Sequence, residues 1–373
     1  MTDPYTPTAN SGQGDPQKAG RRHKRVVMIL LYGLLAALPF LPSPYLVEQP
    51  GPVLNTLGEV ETESGTEQIL QFDESATVYP SAGTLNLLTV TISGNKEYPR
   101  SWGSLLFAAF DKSQHIVPVA EYYGEDESSA DREKLNNALM ESSQNSAAAA
   151  AQRELGMDVP TKIEVVNVNQ EFGAAGLIHE GDFITEIAGE PILGIAQLQQ
   201  LVQQSADKPL ELTVERAETR EVETVSVKPQ LYDDRIWLIG VSGKNVYQAP
   251  VTVKYAIDRI GGPSAGMIFS LAIIDELTEG ELTGGKIVSG TGTIDDTGRV
   301  GPIGGLTQKL YAASRADTDL FLMSAENCHD LPAEIPGDMD IAVVSTLHEA
   351  HEAVKNYAAG GSTPGIAACK TTP

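Results

Sequence analysis

The chain has 373 residues, 41 % of them hydrophobic and 6 % aromatic, with 26 Lys and Arg against 50 Asp and Glu. That length accommodates two or three domains. The formal charge of −24 argues against a nucleic-acid partner, because phosphate binding needs a basic surface; otherwise acidity mainly keeps a protein in solution.

The first residues are rich in Ser, Thr, Gly, Pro, Asn and Gln without apolar periodicity, so 1–25 are predicted to be a disordered cytoplasmic tail. Its end, Arg21, Arg22, His23, Lys24 and Arg25, directly precedes VVMILLYGLLAALPFLPSPYLV. As a helix, Val26 to Leu41 reaches about 24 Å, short of a hydrocarbon core of about 30 Å. Extension to Val47 supplies the length, with Pro39, Pro42 and Pro44 distorting the outer end. Residues 26–47 are therefore predicted to be a transmembrane signal anchor. A cleaved signal peptide is the rival reading, but no small-x-small site follows the apolar core and no cysteine stands there for a lipid. Either way the basic cluster stays inside and the rest is exported. The expected location is the cell membrane, single-pass, with everything after the anchor extracytoplasmic. Cys328 and Cys369 are the two cysteines; in an oxidising compartment they form one disulfide or stand as unrelated thiols.

From Pro52 to about Phe110 the chain reads as short strands, clearest in GTLNLLTVTISG, followed by a short amphipathic helix in YPRSWGSLLFAAF. Ser128 to Leu155 contains no proline or glycine and reads as a helix, continuous or broken at SSQNS. Together these make a segment 52–156. Acidic runs such as Glu125, Asp126, Glu127 and Asp131 read as solvated faces.

Residues 157–231 are a compact unit: TKIEVVNV is a strand, EFGAAGLIHEGDFITEIAGEPI a turn, strand and turn, AQLQQLVQQS a helix, and PLELTVERAETREVETVSVKP a hairpin. This order and the GLIHEGDFITEIAGEPI stretch resemble a PDZ domain. Such domains capture extended peptides by adding a strand beside one of their own, next to a helix. The resemblance implies a groove between Ile163–Val168 and Leu198–Val202, lined by Ile163, Val165, Val168, Leu198, Leu201 and Val202. The bland alternative is a folding spacer with an empty groove.

Residues 232–357 alternate strand-like runs (VTVKYAI, KIVSGTGTI, LFLMS, IAVVS) with helical ones, and 358–373 form a C-terminal tail. IGGPSAGMIF places Ser264 where a glycine-rich turn meets a helical apolar run. A hydroxyl there lies beside free backbone N–H groups and the positive helix end, which suits an oxyanion; a helix cap is the bland alternative. A nucleophile also needs a base. None of the six histidines singles itself out: His348 and His351 are spaced i, i+3 on an expected solvent-facing helix, which is not the zinc pattern. Lys309 falls within the apolar stripe Leu306, Leu310, Ala313 and Ala316 of GGLTQKLYAASRA, while Gln308 is expected to face away. An amine among apolar side chains loses hydration and its pKa falls toward the value a general base needs. The alternative is a snorkelling lysine.

GGPSAG followed by the lysine of GPIGGLTQKL closely resembles the proteolytic domain of the Lon proteases, across most of residues 258–356. The resemblance implies Ser264 as nucleophile and Lys309 as general base. It places Thr291 where the family carries a threonine that orients the lysine, and Gly262, Pro263 and Ala265 around the oxyanion. Two departures stand out. The ATP-driven enzymes carry an acidic residue just before the serine motif, where this chain has Gly262; Asp258 is a substitute candidate. No G-x-x-x-x-G-K-[ST] loop occurs either. Anchor, PDZ unit and Lon-type domain together resemble the anchored, ATP-independent Lon-like proteins of bacteria. The expected fold class is thus α+β: a Lon-type proteolytic domain (mixed α/β) with an inserted PDZ-like β-rich domain, preceded by one transmembrane helix. Segment 52–156 is expected to join the protease fold.

The expected function is an ATP-independent serine endopeptidase with a Ser-Lys dyad, needing no cofactor or metal. Its expected partners are unfolded or flexible proteins and peptides captured by the PDZ unit, and the membrane. Family relatives assemble into rings, so the resemblance implies a homo-oligomer. The competing reading is a peptide-binding PDZ scaffold with an inactive Lon-type domain; a third, self-cleavage that sheds the exported part, shares the dyad chemistry.

Overall fold

The computed structural model describes residues 16–62, 65–79, 81–257, 260–363 and 365–370. The predicted disorder of 1–15, the candidate Asp258 and the last three residues of the tail lie outside these. The chain divides into two compact units, one of residues 1–47 and 92–125, the other of 48–91 and 126–373.

In the first unit, helix α1 (Pro16–Ala37) begins well before the apolar run, so 16–25 are helical where disorder was predicted. Proline suits a first helical position, and the Lys and Arg that follow favour helix. The helix ends at Ala37, passes into a 3-10 turn Leu38–Phe40, and the chain is extended from Tyr45. Residues 38–47 therefore do not prolong it, because Pro39, Pro42 and Pro44 cannot donate the backbone bonds a helix requires. No helix of the described residues is long and apolar enough to cross a membrane. Helix α2 (Trp102–Ala108) is capped by Ser101, whose side chain accepts from the Ser104 amide. A small core of Val47, Leu105 and Ala108, with Tyr45 and Ile116, holds this unit.

The second unit contains, in chain order, most of strands β1 (Tyr45–Asn55) and β2 (Thr84–Ser93) and the whole of helix α3 (Ser129–Glu154). Next come β3 (Thr161–Val168), β4 (Phe183–Ile187), helix α4 (Ile195–Ser205), β5 (Leu210–Glu215), β6 (Val222–Val227) and β7 (Val241–Tyr247). Helix α5 (Gly266–Glu276), β8 (Ile287–Thr291), α6 (Leu306–Arg315), β9 (Leu320–Ser324), β10 (Asp340–Val344) and α7 (Leu347–Ala358) complete it.

One sheet runs β10-β9-β8-β2-β1, in which β10, β9, β8 and β2 run parallel to one another. Parallel strands need both faces covered. α5 covers one face; it is buried along its whole length and apolar but for Ser270, Asp275 and Glu276, packed between the sheet and helices α3 and α7. α6 covers the other, its Leu306, Leu310 and Ala313 sharing a core with Leu88, Phe321 and Met323. The segment ahead of the PDZ-like unit thus supplies β1, β2 and α3 to this body. α3 runs unbroken through SSQNS, opened by a capping box between Ser128 and Asp131. Its Ser143 hydroxyl donates to the Pro263 carbonyl, and its buried Ala147, Ala149, Ala150 and Ala151 leave room for a neighbouring helix. Cys328 and Cys369 form a disulfide.

The second sheet runs β6-β5-β4-β3-β7, with α4 against it and a core including Ile163, Val165, Ile184, Leu198, Val202, Leu212 and Val214. β7 belongs to this sheet, paired antiparallel with β3 from Val241↔Val168 to Tyr247↔Thr161. The lobe consequently extends to Tyr247, beyond the expected boundary at 231. The strand that closes the sheet is separated from the rest by a local hairpin, Gln230–Tyr232 with Ile236–Leu238.

Candidate active site

Three segments converge on Ser264. The turn before α5 is pinned to α3: the Gly262 amide donates to the Asn136 carbonyl at 2.9 Å, and Ser143 holds Pro263. The end of β8 holds the serine itself, its carbonyl accepting from the Gly292 amide at 3.0 Å and the Thr291 hydroxyl at 3.3 Å. Ser264 is not the helix cap. That position is Ala265, which has no side-chain cap, so the Ser264 hydroxyl is free for another partner.

The partner comes from α6. Lys309 is 3 % exposed, and its Nζ lies 3.0 Å from Ser264 Oγ and 2.9 Å from Thr291 Oγ1. Both polar neighbours are hydroxyls, which solvate an ammonium poorly compared with water or a carboxylate. Burial pushes the Lys309 amine down to about 7, opposed only in part by the field of Glu48. Gln308, expected to face away, is also buried, because α6 is covered on more than the one stripe.

Among the described residues, the amides of Ser264 and Ala265 donate no hydrogen bond, whereas Gly262 and Gly266 have theirs engaged by Asn136 and Pro263. The free N–H groups therefore narrow to the first two. A side chain at Gly262 would meet nothing within 4 Å, but the backbone φ of +90° there is one that glycine adopts readily and other residues do not.

Comparison with known proteins matches this region to one family. Residues 255–356 match the Lon protease (S16) C-terminal proteolytic domain. Residues 163–216 match a PDZ domain. The Lon protease of Campylobacter concisus is 34 % identical over 127 residues, 33 % of this chain and 16 % of that one. The Lon protease of Escherichia coli K12 is 30 % identical over 190 residues, 49 % of this chain and 22 % of its own. The chain thus spans less than a quarter of the length of these two relatives. A solved PDZ domain of an SdrC-like protein from Listeria innocua is 21 % identical, covering 22 % of this chain and 92 % of that one at a TM-score of 0.21.

The six residues expected to line a peptide groove are placed differently. Ile163, Val165, Val168, Leu198 and Val202 are buried in the PDZ-type core, and Leu201 packs against it. Strand β3 has β4 on one side and β7 on the other, so no edge of it remains for an added strand. The edge of the sheet beside α4 is β7.

One residue escaped sequence reading. Asp296, just past β8 in the Lon-type domain, is buried, and its carboxylate accepts from the Ala196 amide at 3.1 and 3.2 Å. It caps α4 from another lobe, since the N-cap position Gly194 brings no side chain of its own. A Cβ at Gly194 would lie 2.0 Å from that carboxylate, which is why the position is glycine. Arg153, at the end of α3, donates to the Asp296 carbonyl and to Thr161 Oγ1, joining the same lobes. Nothing in IDDTG signals a cap for a helix a hundred residues away. His348 and His351 both reach Glu154, at 2.8 and 3.2 Å, and His351 is half-buried where solvent exposure was expected.

Proposed function

We propose that the chain is an ATP-independent serine endopeptidase that uses Ser264 and Lys309 as a catalytic dyad. The observation that carries this reading is the 3.0 Å approach of a buried amine, its pKa near 7, to the serine hydroxyl. Neutral Lys309 takes the Ser264 proton as the oxygen attacks a peptide carbonyl. The Ser264 and Ala265 amides, at the positive end of α5, receive the oxyanion. The ammonium, held by Thr291, returns its proton to the leaving amine, and water hydrolyses the acyl-enzyme.

In this reading the substrates are unfolded or flexible chains, whose peptide bonds reach the dyad without prior unfolding. They are captured as an added strand along β7 beside α4, in place of the groove expected at β3. The protein is anchored to the cell membrane by its N-terminal apolar segment, with the dyad outside the cytoplasm, and it works as a homo-oligomer.

Incubation of the full chain with an unfolded protein in the absence of nucleotide, with fragments identified by mass spectrometry, tests the assignment. New internal termini made by the wild type and missing with Ser264→Ala support it. Equal fragment patterns would leave only a peptide-capturing scaffold. Termini within the chain itself, again absent from the variant, would identify self-cleavage.

A further inference from the structure

Helix α2 buries Leu105 and Ala108 but leaves a second apolar face bare. Phe107 and Phe110 are 80 % and 83 % exposed, Leu106 is 61 % and Trp102 46 %, and Phe40 on the neighbouring turn is 83 %. Clustered side chains of this size left in water mark a binding surface. From Ser101 to Phe110 there is no charged residue, so covering the patch desolvates no ion.

The patch is fastened to the end of α1. The Trp102 amide donates to the Leu41 carbonyl at 3.1 Å, Pro42 and Ser101 form a β-bridge, and the Ser43 hydroxyl donates to the Arg100 carbonyl. Gly103 sits so close to the turn that a Cβ there would lie 2.8 Å from the Pro39 carbonyl oxygen. Wherever the end of α1 goes, α2 follows.

What covers the patch is indicated by α1 itself. Val27, Met28, Ile29, Leu30, Leu31 and Tyr32 are each at least half exposed. Consecutive residues on a helix point to every side, so this is an apolar rod bare around its circumference. A protein partner approaching from one side leaves most of it wet; an acyl-chain phase covers it wholly and the adjoining patch with it. The apolar helical part, Val26 to Ala37, is about 18 Å long against a hydrocarbon core of about 30 Å. The patch lies where apolar height is missing. Trp102, with a polar N–H on an apolar ring, suits the boundary between headgroups and acyl chains.

We propose that α2 and the turn Leu38–Phe40 form a bilayer-docking surface, sinking Phe40, Trp102, Leu106, Phe107 and Phe110 into the outer headgroup–acyl boundary. This rests on the anchored reading above. Trp102 and Trp237 are the two tryptophans, so Trp237→Phe leaves Trp102 as a sole reporter. The full chain with that substitution is reconstituted into phosphatidylcholine–phosphatidylglycerol vesicles, with or without bromine on the upper acyl carbons. The expected result is flotation with the vesicles, blue-shifted Trp102 emission, and loss of most of that emission in brominated lipid. Adding Phe107→Asp and Phe110→Asp, both at exposed positions, should keep flotation and abolish most of the quenching. Flotation with Trp102 unquenched overturns the docking surface while the anchor stands, whether the indole is open to acrylamide or covered by a second copy of the chain. Failure to float overturns both.

Discussion

In the proposed dyad a single amine decides the chemistry. Lys309 gives up most of its hydration to sit between two hydroxyls, and its neutral form is the one that can accept a proton. The rate of peptide cleavage should therefore rise about tenfold per pH unit below 7 and level off above, since the fraction of free amine follows that titration. Lys309→Arg should be inactive at every pH, because a guanidinium does not deprotonate in proteins. The same depressed pKa costs stability. Between about 7 and the unfolded value near 10.4 the unfolded chain holds the extra proton, so wild-type stability rises with pH across that window. Denaturant unfolding should then show Lys309→Met as stabilised most at and below pH 7, with the gain shrinking toward pH 10. Thr291→Val removes the hydroxyl that holds Nζ, a charge-assisted hydrogen bond of about 1.5–3 kcal/mol in the protonated state, so kcat should fall roughly 10- to 100-fold while the fold persists. Ser264 and Lys309 stood out in the sequence as a pair and through the resemblance, since each alone reads equally as a helix cap or a snorkelling lysine; the structure brings the two side chains together. The burial of Gln308 was not legible, since periodicity along α6 cannot register how many neighbours surround it.

Elements carry what motifs do not. α3 reads plainly as a helix from its composition, yet its function in the fold is spatial: Asn136 and Ser143 brace the turn before Ser264, while Arg153 grips the PDZ-type lobe. Asp296 adds a second tie by capping α4. Asp296→Ala should weaken α4 by about 1–2 kcal/mol, the range for losing a helix cap, seen as faster amide exchange in α4 with β4 and β5 little changed. The misplaced groove has a definite cause. Sheet order is not written locally: TKIEVVNV looks like a strand with a free side, and only the pairing with VSGKNVY closes it. That closing strand contains a glycine and a lysine and lies beyond a hairpin, so no alternation marks it as part of the lobe. A peptide titrated into the full chain should shift β7 and α4 amides and leave β3 amides in place.

At the scale of the molecule, the chain interrupts its own sheet. β1 and β2 come before the PDZ-type lobe and β8, β9 and β10 after it, so the lobe is an insertion, tied to the body by Arg153 at its start and by Asp296 at α4. Fold class was readable from the alternation of runs after Trp237 and from the resemblance of two separated motifs. The membership of residues 48–91 in the sheet followed only by analogy, because short strands carry no record of their partners. The disulfide closes a separation of 41 residues, for which chain entropy gives about 3–4 kcal/mol. Cys369→Ala should lower the unfolding midpoint accordingly without altering the dyad.

The central claim is that a buried, uncharged Lys309 activates Ser264. Its most direct measurement is nucleotide-free degradation of an unfolded protein by the full chain from pH 5.5 to 9, set beside Lys309→Met. The account predicts a wild-type rate half-maximal at about pH 7 and a variant slower by at least about a thousandfold throughout, as for removal of a unit of catalytic machinery. A variant that cuts as fast as the wild type, or a wild-type rate indifferent to pH across that range, would contradict it.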